Sequence, residues 1–315
     1  MSECLVSFGS NLGDRQALLA EAAKQLSQRS AVTNFRASRL FSTPSIGGPG
    51  GQSAFLNAVA AFQTDASARE VLGWLQVLEQ DLGRRRKIRW DARSIDLDVV
   101  LYGDLTGHGT HLIVPHPRYT ARTFVLVPAC DVVPQWHDPR FGWTIERLTR
   151  HIQAAPPSLA LIGGDVELRN RLCQRVASRL KLSYFAAPPL SASPSLTANA
   201  PANSSVYTAS PSATLEIDVP PDRPWIAAAP PRLPADPVLA TDTRANCYPR
   251  LIVRLQQTDA AHRWPAPHQI WPKGGHWPEY RLEIGDEDWA VEELIAVFDS
   301  LQCPVTPSSQ DGHWF

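Results

Sequence analysis

The chain has 315 residues, with 30 lysines and arginines against 31 aspartates and glutamates, for a formal net charge of −1. That length favours two domains, since single cores run to about 100–200 residues, and the near-neutral balance argues against a general nucleic-acid binder. No apolar run is long enough to span a membrane, the opening MSECLVSFGSNLGDR lacks the basic and apolar regions of a signal peptide, and five scattered cysteines form no CxxC pair, so the cytoplasm is the default and neither a disulfide framework nor a zinc site is expected.

In chain order, residues 4–8 (CLVSF) read as a strand and GSNLGD as a turn. Asp14 can cap a helix whose apolar residues Leu18, Leu19, Ala22, Ala23 and Leu26 recur at helical spacing. Residues 35–42 look extended, and TPSIGGPGGQ is a Gly/Pro-rich loop. AFLNAVAAFQT (54–64) is a second clear strand. Ser67 and Glu70 form a capping-box pattern that opens a helix with Val71, Leu75, Leu78 and Leu82 on one side, ended by Gly83. A basic loop leads into a strand at 95–102, and residues 111–134 hold a turn and a helix; IERLTRHI (145–152) closes the first unit. After AAPP the pattern changes: LALIGG is strand then glycines, and Asp165 can cap a helix carrying Leu168, Leu172, Val176 and Leu180. Residues 186–237 are rich in Ala, Pro and Ser and read as long, poorly ordered connections. PRLIVRLQ (249–256) reads as a strand, and 287–302 as a helix with Val291, Leu294, Phe298 and Leu301 in register.

The strand in RWDARSIDLDVVLYG (89–103) carries two aspartates one residue apart. Side chains alternate across a strand, so Ile95, Leu97, Val99 and Leu101 share one face, and Asp96, Asp98, Val100 and Tyr102 the other. The two carboxylates then lie about 7 Å apart at the backbone, close enough to converge. A lone DxD also fits a solvated outer face. Here Arg84, Arg85, Arg86, Lys87 and Arg89 put five cations in six residues just upstream, with Arg93 between them and the aspartates. Carboxylates beside many cations suit a magnesium polyphosphate: the carboxylates hold Mg²⁺, the metal bridges phosphate oxygens, and guanidiniums grip the rest. The run also reads as a solvated loop or a nucleic-acid patch, though it lacks interleaved aromatics. Asn57, amid FLNAV, is a polar group in an apolar strand and needs partners.

GRRRKIRWDARSIDLDVVLYG resembles the signature of the 6-hydroxymethyl-7,8-dihydropterin pyrophosphokinases, written RWGPR-x-[LI]-DLD. FGSNLGDR resembles that family's first strand and turn, STPSIGG…FLNAV its pterin loop and strand, and VPHPRYTARTFVLVPACDVVP the segment after the DLD strand. The resemblance covers about the first 150 residues. It implies transfer of diphosphate from ATP to the pterin hydroxymethyl oxygen with release of AMP, in folate synthesis. It implies that Asp96 and Asp98 bind two Mg²⁺ ions, and that Arg86 and Arg89, with Trp90, belong to a loop closing over ATP. Arg93, His116 and Arg122 would contact the triphosphate or ribose, with Gln76, Glu79 and Val99 near the nucleotide. Phe55 and Phe124 would sandwich the pterin, Asn57 would bond its edge, and Thr43 and Pro44 would line the pocket; without the resemblance the two phenylalanines read first as ordinary core. Asp91-Ala92 replaces the family's Gly-Pro.

Gly9-Ser10 with a later DxD is also similar to nucleotidyltransferases with a polymerase-beta-like palm, but nearly ninety residues separate the two and the RW…R block stays unexplained. A non-catalytic binding protein on the same fold is the competing class. LALIGGDVELRNRLCQRVASRL resembles the strand–loop–helix of P-loop nucleoside kinases without the GK[ST] that contacts phosphate and Mg²⁺, and no lysine occurs between Lys87 and Lys181. The expected organisation is a ferredoxin-like α+β sandwich at 1–155, an antiparallel sheet with flanking helices, then a degenerate P-loop-like α/β domain at 156–315 that serves structure, a protein partner or regulation. Trp264, Trp271, Trp277 and Trp289 crowd the last quarter with His262, His268 and His276; packing under loops is expected, not a metal site. Small-molecule pterin and ATP, and neither nucleic acid nor membrane, are the expected partners.

Overall fold

A computed structural model describes residues 1–47, 51–83, 94–108, 112–154, 156–187, 222–231, 233–234, 247–257 and 276–315. The first sheet is built from β1 (Ser2–Ser10), β2 (Val32–Ala37), β3 (Phe41–Thr43), β4 (Phe55–Thr64) and β5 (Asp96–Tyr102). Every pairing among them is antiparallel, in the order β3-β4-β1-β5, with β2 pairing β4 in line with β3. The extended stretch expected at 35–42 is therefore two strands, broken at Ser38–Leu40.

Helices α1 (Arg15–Ser27) and α2 (Ala68–Asp81) begin where their caps say they should. Asp14 accepts the Ala17 N–H at 3.1 Å, and Ser67 and Glu70 make both bonds of the capping box. Their apolar stripes cover one face of the sheet: Leu19, Ala22, Leu26, Val71, Leu75 and Leu78 pack with Cys4, Val6, Phe8, Leu97 and Val99. The opposite face, with Leu5, Val59 and Ala61, is covered by α3 (Thr123–Val132), and α4 (Ile145–Gln153) packs on α3.

Strict alternation along β5 fails at one point. The β1–β5 register shifts between Leu5 and Val6: Val6 pairs Val99, Leu5 pairs Leu101, and Val100 is the extra residue of a bulge. Val100 and Leu101 consequently both join the α3–α4 core, while Tyr102 packs on the α1–α2 side with Ile95, Leu97 and Val99. The expected faces hold for residues 95–100 and invert beyond them.

A two-stranded ribbon of β6 (Gly107–His108) and β7 (Ile113–Val114) follows β5. The second sheet contains β8 (Ser158–Ile162), β9 (Ser183–Phe185), β10 (Trp225–Ala227), β11 (Leu251–Gln257) and β12 (Glu279–Ile284), all parallel, in the order β12-β11-β8-β10-β9. Helix α5 (Val166–Leu180) starts at its expected cap, Asp165, and α6 is Glu287–Leu301. The reading of 186–237 as connection throughout needs correction: Trp225, Ile226 and Ala227 form a fully buried strand between β8 and β9. Three residues are too few to show a period in sequence.

The chain then returns to its beginning. β13 (Thr306–Pro307) pairs antiparallel with β3 and extends the first sheet. Leu40 donates to Ser309 Oγ at 2.8 Å, Trp314 Nε1 donates to Ser38 O at 2.7 Å, and the Trp314 ring meets Phe8 edge-on. Gly312 passes so close to Ala37 that a Cβ there would lie 2.1 Å from its carbonyl oxygen. A boundary at 155/156 thus separates the two sheets but not residues 306–315, which lie with the first. One continuous core joins the halves, running from Leu5 and Val59 through α3 and α4 to the second sheet. Trp277 sits in it against Trp143, His151 and Tyr248, as packing and not as a binding surface; Trp264, Trp271, His262 and His268 lie outside the described residues.

Candidate active site

Cross-strand register assembles the site. Gly9 of β1 pairs with Asn57 of β4 on one side and Asp96 of β5 on the other; Ser7 pairs likewise with Val59 and Asp98. Asn57, Gly9 and Asp96 therefore form one row on one face of three strands, with Asp98 two residues along. Gly9 leaves that row open: a Cβ there would lie 3.4 Å from Asn57 Oδ1 and 3.9 Å from Phe55 Cδ1. Phe55 and Thr43, paired across β3 and β4, continue the same face, and Asn57 Nδ2 donates to Thr43 Oγ1 at 2.9 Å with both residues buried.

The bases come from the segment after β7. Arg122 Nη1 lies 3.3 Å from Asp98 Oδ2, and His116 Nε2 3.8 Å from the same oxygen. His116 Nδ1 accepts the Arg118 N–H at 3.1 Å, which leaves the imidazole proton on Nε2, facing Asp98. Burial first, then the charges of Arg122 and Arg118, hold His116 well below its ordinary pKa against the opposing pull of Asp96. It is a neutral donor at physiological pH. The Arg122 guanidinium also lies over the Phe124 ring, 5.8 Å from its centroid.

Glu79 has a structural task visible here. It is 4% exposed, and its Oε1 accepts the Leu97 N–H at 2.8 Å, fixing the residue between the two aspartates. Gln76 lies one turn earlier on the same helix, half-buried. Val99 turns its side chain into the α1–α2 core, away from the carboxylate face, so only its backbone is available to a ligand. Pro44 is exposed just beyond β3. Arg86, Arg89, Trp90 and Arg93 lie outside the described residues. The structure thus gathers Asp96, Asp98, His116, Arg122, Asn57, Thr43 and Phe55 on one face, with Phe124 in the first turn of the helix that packs on it.

Sequence reasoning read Gly9-Ser10-Asn11 as part of a first strand and turn, and gave none of the three a place in this site. Gly9 had a signal, a glycine inside a strand, which marks a close approach of backbone or ligand. Ser10 donates to Ser94 O at 2.5 Å and Asn11 to Gln52 at 3.1 Å, tying the first turn to the start of β5 and to the Gly-rich loop. These long-range ties have no local pattern.

The donor set fits Mg²⁺. Among the described residues no group of three or more His, Cys, Asp or Glu is gathered to hold an ion. A pair of half-exposed carboxylates leaves most coordination positions to water and phosphate oxygens, as Mg²⁺ with nucleotides requires. An antiparallel sheet with helices on both faces carries paired carboxylates beside an arginine and a histidine, a donor set of the kind that phosphoryl transfer uses.

Residues 5–134 match the family described as 7,8-dihydro-6-hydroxymethylpterin-pyrophosphokinase (HPPK). A 2-amino-4-hydroxy-6-hydroxymethyldihydropteridine pyrophosphokinase of Bacillus subtilis is 38% identical over 130 residues, 41% of this chain and 77% of that protein. The enzyme of the same name from Synechocystis is 33% identical over 168 residues, 52% of this chain and 85% of the relative. A Plasmodium falciparum HPPK-DHPS structure overlies 56% of this chain and 55% of its own at 11% identity and a TM-score of 0.38, a likeness too loose to bear on the site. The chain belongs to the HPPK family. It is a diphosphokinase that uses ATP and transfers diphosphate to the hydroxymethyl group of 6-hydroxymethyl-7,8-dihydropterin, a step of folate biosynthesis.

Proposed function

We propose that the face shared by β4, β1 and β5 carries out this transfer, with pterin at the Asn57–Phe55–Thr43 end and the ATP phosphates at the Asp98–Arg122–His116 end. The observation that carries the reading is the single row Asn57–Gly9–Asp96, which spans from ring-recognising amide to metal-binding carboxylate with an open glycine between them. Asn57 recognises the ring edge, and Phe55 and Phe124 flank the ring. Asp96 and Asp98 hold two Mg²⁺ ions, which when bound neutralise charge across the phosphates. Arg122 offers its guanidinium to the triphosphate, and His116 donates an uncharged hydrogen bond from Nε2. Arg86, Arg89, Arg93 and Trp90 complete the nucleotide side from the basic loop, with Gln76 near the nucleotide and Glu79 holding the Leu97 N–H of β5.

The hydroxymethyl oxygen attacks the β-phosphorus in line. A new oxygen–phosphorus bond forms, the bond to the oxygen bridging to the α-phosphate breaks, AMP leaves and the hydroxyl proton passes to solvent. No nucleophilic side chain is needed, because such transfer depends on positioning and charge stabilisation. Asp98→Ala abolishes turnover on this reading while leaving the melting temperature within a few degrees; near-normal turnover in that variant would refute the metal assignment.

The order β5-β1-β4-β3 with α1 and α2 on one side suits a ferredoxin-like β-α-β-β-α-β unit. The parallel order of the second sheet, with Gly163-Gly164 following its central strand, favours a P-loop-like ancestry for that half. It does not favour nucleotide binding there. Arg169 donates from Nη1 to the Gly163 and Gly164 carbonyls at 2.9 and 3.0 Å and from Nε to Ala228 O at 2.7 Å, filling the loop that a phosphate would need. A cytoplasmic setting accords with five free thiols and with no helix among the described residues long and apolar enough to cross a membrane.

A further inference from the structure

Among the described residues, the two that reach Asp98 sit on one short segment, His116 to Arg122, with a 3-10 turn at Tyr119–Ala121. Such a turn has little rigidity of its own. The first half of the chain holds it through the His116 N–H, which donates to Val100 O at 2.9 Å, and the Tyr119 hydroxyl, which donates to Asp138 at 2.6 Å; a second set of ties comes from the second half. The Arg281 N–H of β12 donates to Pro117 O at 3.1 Å. Thr120 Oγ1 donates to Glu279 O at 2.8 Å, and Thr123 Oγ1 to Ser300 O in α6 at 2.8 Å. Arg118 Nη1 donates to Glu293 Oε1 at 2.8 Å, with its guanidinium over the Trp289 ring. Glu293 is 4% exposed, and its second oxygen accepts the Tyr280 hydroxyl at 2.8 Å.

The consequence is directional. Arg118 lies between His116 and Arg122, and its own backbone N–H is the group that fixes the His116 tautomer. The Arg118 side chain is held by Glu293 of α6, in the same segment whose His116 and Arg122 face Asp98. A buried, charge-assisted pair of this kind is also expensive to break from one side, since the partner is left without its counter-charge.

We propose that the second half of the chain is a clamp on the nucleotide-binding segment, and that Glu293, acting through Arg118, is a positioning residue for ATP. The proposal rests on the reading of His116 and Arg122 as phosphate contacts. It gives the second half a part in the reaction without a catalytic group of its own.

The test uses the full chain carrying Glu293→Ala, Glu293→Gln, the double substitution Thr120→Val/Thr123→Val, and, in parallel, Arg122→Ala. KM for MgATP, KM for the pterin, kcat and melting temperature are measured for each. Glu293→Ala is expected to raise KM for ATP about tenfold, the scale of one lost charge-assisted bond, while KM for the pterin stays within twofold. Glu293→Gln keeps an acceptor for Arg118 and should restore most of the ATP affinity. Thr120→Val/Thr123→Val preserves side-chain volume and removes two ties, so it should raise KM for ATP about threefold; it decides the matter alone if Glu293→Ala does not fold. Folded variants with unchanged KM for ATP, or with both KM values raised alike, overturn the clamp. If Arg122→Ala raises KM for ATP and the clamp variants do not, only the clamp is refuted; if Arg122→Ala also leaves it unchanged, the phosphate reading of the segment falls and the clamp with it.

Discussion

Gly9→Val separates stability from function at the centre of the proposed pterin site. Gly9 has ordinary strand geometry, so a β-branched residue meets no backbone strain, and replacing a glycine inside a strand recovers about 0.5–1 kcal/mol of conformational entropy. The melting temperature should therefore hold or rise. The new side chain stands on the carboxylate face, its Cβ 3.4 Å from Asn57 Oδ1 and 3.9 Å from Phe55 Cδ1, with two further carbons projecting into the row. It denies the ring edge its bond to Asn57, about 1 kcal/mol net, and leaves polar groups of the ring unpaired at about 1–3 kcal/mol. The sum, about 2–4 kcal/mol, corresponds to a rise in KM for the pterin of about 30- to 1,000-fold. Initial rates of AMP release at saturating ATP, with thermal unfolding of the same sample, supply both numbers. A folded Gly9→Val enzyme with KM for the pterin within threefold of the parent would show that the ring does not occupy this row.

Two further outcomes follow from the packing. Trp314→Ala removes a ring that is 9% exposed, its bond to Ser38 and its contact with Phe8; burial of that size is worth about 3–5 kcal/mol, so the melting temperature should drop by about 6–15 °C, and a fall under 2 °C by calorimetry would mean that the returning tail adds nothing to the first sheet. His151 is half-buried beside Trp143 and Trp277, and desolvation, with the nearby Arg250 charge adding to it, lowers its pKa from 6.5 to about 3. Between those values the unfolded chain binds the proton and the folded one does not, so stability falls as pH falls, by about 1.4 kcal/mol per pH unit for this group. His151→Gln keeps a donor for Arg250 O and should flatten the stability–pH slope between pH 6 and 4 by that amount; parallel slopes in denaturant titrations would refute the assignment.

What could be read from the sequence was local. The caps at Asp14, Ser67 and Asp165 were legible because a capping side chain and its target N–H lie three residues apart. The aspartate pair was legible because a strand's period is two. The same period misplaced Leu101, since a bulge at Val100 depends on the partner strand and leaves no mark in β5 itself. β10 and β13 were illegible for a related reason: each has two or three residues, and each is a strand only because a distant edge receives it. The clamp on residues 116–123 escaped because Arg118, Glu279, Glu293 and Ser300 are up to 177 positions from their partners. Glu79 was picked out as lying near the nucleotide, and the structure gives it a backbone N–H of β5 to hold.

The measurement that bears most directly on the central claim is the identity of the nucleotide product. The purified protein is mixed with ATP, Mg²⁺ and 6-hydroxymethyl-7,8-dihydropterin, alongside Asp98→Ala, and the nucleotides are separated. Pterin-dependent AMP from the parent and none from the variant is the predicted result, since diphosphoryl transfer runs through the face that Asp98 shares with Asn57. ADP, or AMP at equal rates from both proteins, would contradict it.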